Sequence, residues 1–195
     1  MSISRGDGAR RRVLEAALEV LGDDGLVGFT MEAVARRAGA SKATVYRHWS
    51  GANALLVDAM DATFRPLPPP DTGRVVTDVT QLLTAFVATV DHTPFPRLFA
   101  AFMDAAERDV TLAALHEDLT RRRREPLIIV LQRARDRGEL TGDIDLELTV
   151  DMLAGPLFYR RFVAHRPIPP TLVDDLVSAV LGPSLSRRET GRKKR

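Results

Sequence analysis

Residues 41–49 read S-K-A-T-V-Y-R-H-W, and they follow residues 30–39, which read T-M-E-A-V-A-R-R-A-G. Thr30 and Ser41 are residue types that cap helix N-termini, because a side-chain oxygen can accept a first-turn backbone N–H. Gly39 suits the left-handed position that ends a helix, which few other residues occupy without strain. Two short helices joined by a glycine-containing turn of three or four residues are typical of a helix-turn-helix.

The second of these helices has one apolar side and one basic, aromatic side. Val45 and Trp49 are four residues apart, so they share a side that we expect to be buried. In a recognition helix, basic side chains reach guanine or phosphate, methyl groups contact thymine, and Tyr and His suit phosphate oxygens. A solvated surface helix is the alternative, but the ordered set favours DNA binding. The predicted DNA-binding residues are Thr30, Ser41, Lys42, Ala43, Thr44, Tyr46, Arg47 and His48.

The stretch G-L-V-G-F-T-M-E-A-V-A-R-R-A-G-A-S-K-A-T-V-Y-R-H-W, Gly25–Trp49, resembles the DNA-binding domain of the tetracycline-repressor (TetR) family of bacterial transcriptional regulators. The Tyr-x-His-aromatic ending is specific to that family among helix-turn-helix proteins. The resemblance extends over about Arg10–Met60 and implies that the exposed side of the second helix faces DNA. One departure is Ala52, at a position where the family usually has a phosphate-contacting lysine; Ser50 and Asn53 are the candidates to replace it.

The composition is that of a globular chain, with 195 residues, 45% hydrophobic content, 28% charged content and a net charge of +2. The absence of cysteine excludes disulfides and thiolate metal sites, and it fits a cytoplasmic protein. No apolar run approaches the ~18–20 residues of a membrane span, and Met1–Arg12 lacks the apolar segment of a secretory signal. The basic residues of the first fifty positions lie near the predicted DNA surface: Arg5, Arg10, Arg11, Arg12, Arg36, Arg37, Lys42 and Arg47.

Prolines at positions 66 and 68–70 predict a boundary between a DNA-binding domain, 1–66, and a regulatory and dimerisation domain, 67–195. Apolar residues recur at helical spacing on both sides of it, with almost no strand pattern, so we predict an all-α fold of about nine helices. The first domain is predicted as a three-helix helix-turn-helix domain preceded by a mobile arm to about Gly8. Its expected helices are 9–21, 30–38 and 41–48, with a fourth over 52–64.

The second domain is predicted to contain helices over about 75–90, 97–108, 111–138, 145–163 and 172–181, followed by a basic tail, 184–195. Pro126 is expected to kink or split its helix. Ala154-Gly155-Pro156 predicts a kink and a close approach of another helix. The run Arg121–Arg124 suggests either a nucleic-acid patch or a solvated helix face, and its distance along the chain from the recognition helix favours the solvated face.

The last two helices carry more apolar residues than a small domain can cover, which favours a symmetric interface between two copies. The family resemblance implies the same pairing, as a four-helix bundle. The alternative is that both helices bury against the preceding ones. A homodimer is favoured because reading a palindrome needs two recognition helices ~34–36 Å apart. The predicted interface residues are Leu153, Leu157, Leu172, Leu176 and Val180.

The resemblance also implies a small-molecule pocket among the middle helices of the second domain. Its candidate lining is apolar and aromatic, so a mainly apolar effector is expected, with core packing as the alternative for any one residue. Such a ligand would act by favouring the arrangement that does not bind DNA. The candidate pocket residues are Phe86, Phe99, Phe102, Met103, Phe158 and Tyr159.

Taken with these patterns, the family resemblance implies a repressor that a small effector releases from a palindromic double-stranded operator. No catalytic residue, metal or cofactor is expected, because the four histidines are scattered and neither a Glu-x-x-His pair nor a glycine-rich phosphate loop occurs. His116-Glu117-Asp118 is the one tight polar cluster that suits an enzyme or a metal. An enzyme and a helical adaptor that does not bind DNA remain the alternatives.

Overall fold

A computed structural model of the chain describes residues 5–63, 67–92 and 95–186, and within these ranges nine α-helices account for the regular structure. A π-helix, Tyr159–Val163, continues the eighth α-helix, and a 3-10 turn, Gly182–Ser184, follows the ninth. The all-α prediction is confirmed. The helices are α1 Arg5–Gly28, α2 Met31–Arg37, α3 Lys42–His48, α4 Ala52–Thr63, α5 Val75–His92, α6 Phe95–Ala106, α7 Val110–Asp136, α8 Leu146–Phe158 and α9 Leu172–Leu181.

The helices form two compact units: Met1–Arg65 with Pro94–Thr120, and Pro66–Thr93 with Arg121–Arg195. The first boundary between the two units along the chain, between Arg65 and Pro66, coincides with the proline-rich segment. The sequence did not indicate that α6 and the first part of α7 group with the N-terminal helices. The functional boundary between 1–66 and 67–195 stays a prediction.

In the first unit, α1 packs against α2, α4 and α6. Its buried residues repeat with helical spacing and include Val13, Ala17 and Leu21. Phe29 is also buried, as the sequence predicted, and α4 adds residues such as Leu56. This apolar contact holds the helix-turn-helix on a rigid base, because close-packed side chains transmit small displacements rather than absorb them.

The predicted bounds of the first helix are wrong at both ends. The helix begins at Arg5, inside the predicted arm, and continues past Gly22 to Gly25, where φ is 64°. Tertiary contacts outweigh the weak local stop signal: a Cβ on Gly22 would lie 3.7 Å from Leu98, and Asp23 accepts a 3.0 Å hydrogen bond from Arg37. The rest of the arm, Phe64, Pro66 and the tail beyond Ser186 lie outside the described residues.

In the second unit, α9 packs against α5 and α8. The end of the described chain is tied back to the segment after α7, because Thr141 N–H donates to Ser184 O at 2.7 Å and Ser186 N–H donates to Glu139 O at 2.8 Å. α7 runs through Pro126 without being split. The buried residues around this proline keep the helix continuous at the loss of one backbone hydrogen bond.

The close helix approach predicted at Gly155 is not formed within the described chain. Gly155 is exposed, and a Cβ at this position would meet no atom within 4 Å. The helix departs from α-geometry one turn later, in the π-helix that starts at Tyr159. The glycine and the proline therefore belong to an open helix surface.

A buried carboxylate fixes the start of α5. Asp78 is 1% exposed and accepts hydrogen bonds from Thr72 N–H at 3.0 Å and from Thr72 Oγ1 at 2.7 Å. Nearby, Glu139 accepts from Val75 N–H at 2.7 Å and pairs with Arg137. The Thr72–Asp78 bonds close the turn that leads into α5, and the Val75–Glu139 bond joins the first turn of α5 to the segment that follows α7.

We expect Asp78→Ala to lower the free energy of unfolding by about 1–3 kcal/mol, because it removes a buried carboxylate that accepts hydrogen bonds from Thr72 N–H and Thr72 Oγ1. Chemical denaturation followed by circular dichroism measures this. Asp174→Ala, at an exposed position of α9, is the matched control and should change little. Equal losses in the two variants would contradict a structural role for the buried carboxylate.

Candidate nucleic-acid interface

The turn between α2 and α3 is built by the caps that the sequence predicted. Thr30 Oγ1 accepts from Ala33 N–H at 3.1 Å, and Ser41 Oγ accepts from Thr44 N–H at 3.2 Å. Gly39 has a φ of 60°, the left-handed conformation that glycine adopts without strain. The cap assignments of Thr30, Gly39 and Ser41 are confirmed.

These caps limit what three of the predicted DNA-binding residues can offer. The hydroxyls of Thr30 and Ser41 are used within the turn, and Ser41 Oγ also lies 2.9 Å from Thr44 Oγ1. Thr44 is half-buried. Its methyl group is therefore its free part, whereas a hydroxyl contact with DNA would first have to break the bond to Ser41.

The two sides of α3 differ sharply in burial. Val45 is fully buried and Trp49, which ends the helix, is 4% exposed. The opposite side is open to solvent, and Tyr46 is 50% exposed there. The exposed predicted residues of α3 are Lys42, Ala43, Tyr46, Arg47 and His48. We call this set the α3 face.

A carboxylate on α4 anchors the end of α3. Trp49 Nε1–H donates to Asp58 Oδ2 at 2.8 Å, and the guanidinium of Arg10 on α1 binds the same oxygen. His48 lies beside this anchor, with its ring centroid 5.5 Å from that of Trp49. The sequence analysis did not identify Asp58, because nothing in the local pattern of α4 marks it.

A second carboxylate, Glu32 on α2, lies against the α3 face. Lys42 Nζ is 3.4 Å from Glu32 Oε1, and Tyr46 Oη donates to that oxygen at 3.3 Å. The pKa of Glu32 lies below its ordinary value, chiefly because its own backbone N–H hydrogen-bonds the carboxylate and secondly because of Lys42. Glu32 therefore stays ionised at neutral pH beside two predicted DNA-binding side chains.

Some of the nearby basic residues are already paired within the unit. Arg37 binds Asp23 at 3.0 Å and Glu19 at 3.4 Å, and the bond to Asp23 is the main reason that the pKa of Arg37 is raised. Arg11 pairs with Glu15 at 3.6 Å. The carboxylates offset part of the charge of these arginines, so they contribute less to an attraction for phosphate than the sequence suggested.

The entry to α4 lacks the lysine that the family resemblance leads one to expect. Ala52 is the first residue of α4, and Leu55 N–H donates to Gly51 O at 3.1 Å. Ser50 and Asn53 are both exposed beside it. They stay candidates for the phosphate contact that an alanine cannot make.

The predicted pocket residues fall into two groups. In the second unit, the rings of Phe86 and Phe158 lie 5.0 Å apart and Phe158 stacks on Phe162 at 5.5 Å. In the first unit, Phe99 and Phe102 lie 5.7 and 5.5 Å from His116. Two further candidates are largely exposed, Met103 at 45% and Tyr159 at 59%. A single pocket lined by all six stays a prediction.

Two of the predicted dimer residues need correction. Leu153 and Leu157 are fully buried within their own chain, so they belong to the core of the second unit. The helix presents a different apolar row, in which the exposed fractions range from 48% to 64%: Leu148, Met152, Tyr159 and Val163. Leu172, Leu176 and Val180 of α9 are half-buried. We call the exposed row of α8 and its π-helix, with these α9 residues, the apolar surface.

The two other polar clusters that the sequence singled out, Arg121–Arg124 and His116-Glu117-Asp118, have residues that contact other parts of their own units. Arg124 binds Glu147 at 2.7 Å and also binds Asp151, and the latter bond is the main cause of its raised pKa. Arg124 is thus half-buried and paired with carboxylates of α8, whereas Arg121 is exposed, so the choice between a solvated face and a nucleic-acid patch for Arg121–Arg124 stays a prediction. His116 packs against aromatic rings, and the described residues contain no group of three or more His, Asp or Glu arranged to hold a metal. No helix in the described ranges is long and apolar enough to cross a membrane.

Comparison with known proteins gives two family matches that together span most of the chain. Residues 13–59 match the model of bacterial regulatory proteins of the tetR family. Residues 69–180 match a tetracyclin repressor-like C-terminal domain. The junction between the two matches falls at the proline-rich segment.

Individual relatives agree with these matches. The chain is 31% identical over 181 residues to the HTH-type transcriptional regulator YdeS of Bacillus subtilis, covering 89% of this chain and 88% of that protein. It is 33% identical over 183 residues to the DNA-binding transcriptional repressor TetR of Mycobacteroides abscessus, covering 92% and 95%. The crystal structure of the TetR family regulator SCO0332 superposes with a TM-score of 0.69 at 33% identity, covering 91% of this chain and 99% of that one.

Proposed function

The chain belongs to the TetR family of bacterial regulatory proteins and is a DNA-binding transcriptional regulator, and from this premise we propose that it represses transcription as a homodimer on a palindromic operator. We propose further that a small, mainly apolar effector releases it. A regulator of this kind works on cytoplasmic DNA and needs no catalytic activity of its own.

The observation that carries this proposal is the contrast between the two sides of α3. Val45 and Trp49 are buried and anchored, while the α3 face is exposed and carries cationic, aromatic and methyl groups. A helix fixed on one side can present the other to the major groove without losing its orientation. We assign Lys42 and Ala43 to base edges, and Tyr46 and His48 to phosphates.

The apolar surface supports the homodimer. Large apolar side chains that are about half exposed recur along α8 and its π-helix, as at Met152 and Tyr159. Contiguous exposed patches of this kind mark interaction sites, and a two-fold interface places the same patch of both copies together. A dimer also supplies the second recognition helix that a palindrome requires.

The aromatic row Phe86, Phe158 and Phe162 supports an apolar effector site in the second unit. The ring centroids are 5.0 and 5.5 Å apart, so the three rings contact one another and form a continuous apolar row, the kind of lining that small-molecule sites use. A ligand bound here would act by preferring the state that does not bind DNA.

The experiment that tests the proposal is selection of bound duplexes from a random DNA pool, using the full chain at physiological salt. An enriched sequence with two-fold symmetry is the expected result, and it would give both the operator and the stoichiometry. Recovery of unrelated sequences, or of none, would rule out an operator-binding regulator and favour the adaptor.

Lys42→Ala and Tyr46→Ala are expected to weaken binding in different ways. Loss of a base contact by Lys42 should cost about 1–3 kcal/mol of discrimination at particular base pairs. Loss of a phosphate contact by Tyr46 should weaken all duplexes alike, by about 1.5–3 kcal/mol. Titration of single-base operator variants separates the two patterns. Wild-type binding by both variants would show that the α3 face is wrongly assigned.

A further inference from the structure

Glu32 places a negative charge where the proposed function requires attraction to phosphate. Its Oε1 is shared by the two α3 side chains that flank it, with Lys42 Nζ at 3.4 Å and Tyr46 Oη at 3.3 Å. The side chain of Glu32 is 45% exposed and that of Lys42 is 66% exposed. A pair this open to solvent stabilises a fold very little, so its main effect is on the charge that the α3 face presents.

The carboxylate opposes binding to DNA of any sequence. Affinity for a duplex rises with the number of phosphates that cations neutralise, because condensed counterions are released. Glu32 offsets the charge of Lys42 and engages the hydroxyl of Tyr46. A phosphate that Lys42 contacts is itself an anion. If Lys42 keeps its bond to Glu32, two anions lie close together, and if it breaks that bond, an unpaired carboxylate remains near the DNA backbone.

The electrostatic penalty from Glu32 is smaller when Lys42 contacts a base. A lysine ammonium has three donors, so one can serve guanine O6 or N7 while another stays on the carboxylate, and because these base atoms are neutral they do not repel Glu32 as a phosphate does. We propose that Glu32 is a specificity-determining residue, which keeps Lys42 paired in the operator complex and penalises complexes in which Lys42 turns to phosphate. This inference rests on the proposed function, because it assigns Lys42 to a base edge.

The test compares Glu32→Gln with the wild type on two duplexes of equal length, the selected operator and a scrambled sequence, over a range of salt concentrations. The variant is expected to bind the scrambled duplex about five- to tenfold more tightly, with operator affinity changed less than about twofold. The ratio of the two affinities therefore falls. An unchanged ratio would overturn the inference, and so would a large loss of operator affinity, which would mean that Glu32 itself contacts a base.

Two matched variants isolate the cause. Glu15→Gln removes the same charge from α1, where Glu15 pairs with Arg11 at 3.6 Å, and it should leave the affinity ratio unchanged. In a Lys42→Gln background, Glu32→Gln should no longer alter the ratio, since the pair is already broken. If the ratio of operator affinity to scrambled-duplex affinity falls equally in Glu15→Gln, the change in net charge alone explains the result. Glu32 is then not a specificity-determining residue.

The outcomes also separate this inference from the proposed function. If the wild type binds every duplex equally, the operator-binding function fails and the specificity role fails with it. If the wild type discriminates and Glu32→Gln discriminates equally well, only the role of Glu32 is wrong.

Discussion

Leu176→Arg is expected to convert the proposed dimer to monomers and to weaken operator binding by about 10²- to 10⁴-fold. Leu176 is half-buried on α9, within the apolar surface, and an arginine there would bring an unpaired charge into the contact between two copies. A monomer carries one recognition helix, so it loses the gain in effective concentration that the second one supplies. Sedimentation velocity and gel shift on the same samples measure both effects.

Matched variants distinguish the interface from a loss of folding. Ser178→Arg adds the same side chain to the exposed, polar side of α9, beside Asp174 and Asp175, and should remain dimeric. Met152→Arg alters the α8 part of the apolar surface at a position that is 48% exposed, so it should produce folded monomers with an unchanged far-ultraviolet circular dichroism spectrum. A dimer that survives both Leu176→Arg and Met152→Arg would move the interface to another surface.

The sequence predicted features that depend on nearest neighbours. Caps at Thr30 and Ser41 and the left-handed Gly39 follow from interactions within three or four residues, so a local pattern contains the information. The burial of Val45 and Trp49 follows from one period of a helix. Most of the helices of the fold were predicted for the same reason.

The sequence could not indicate which of two apolar sides a helix buries. α8 carries apolar residues on more than one side, and the analysis chose Leu153 and Leu157 for the interface. The structure buries both of them and exposes Met152 and Tyr159 instead. The choice is made by the packing of α8 against α9, which no local periodicity encodes.

Polar contacts between distant residues were also missed. Asp58 binds Arg10, which is 48 residues away, and Glu32 meets Lys42 and Tyr46 across the turn. Such pairs depend on how helices are placed, and charged residues on a helix surface look alike in sequence. Both carboxylates nevertheless contact side chains of α3 or its C-cap, Asp58 through Trp49 and Glu32 through Lys42 and Tyr46.

Trp49→Ala is expected to lower the free energy of unfolding by about 3–5 kcal/mol, because a large buried side chain would leave a cavity. Trp49 is 4% exposed, whereas Tyr46, on the same helix, is 50% exposed. Tyr46→Ala should therefore cost little stability while impairing DNA binding, and Trp49→Ala should impair both. Chemical denaturation and gel shift of the two variants, compared in parallel, test this contrast.

The hydrogen bond from Trp49 to Asp58 can be separated from the packing of the ring. Trp49→Phe keeps an aromatic ring but removes the N–H that donates to Asp58 at 2.8 Å, so it should cost about 1 kcal/mol plus a small packing loss. Trp49 is the single tryptophan of the chain, and its fluorescence therefore reports on the end of α3 alone. Asp58→Asn should shift this emission and weaken operator binding, because the bond that fixes the orientation of α3 becomes weaker. Unchanged emission and unchanged affinity in Asp58→Asn would show that packing of Val45 and the indole ring suffices to orient the recognition helix.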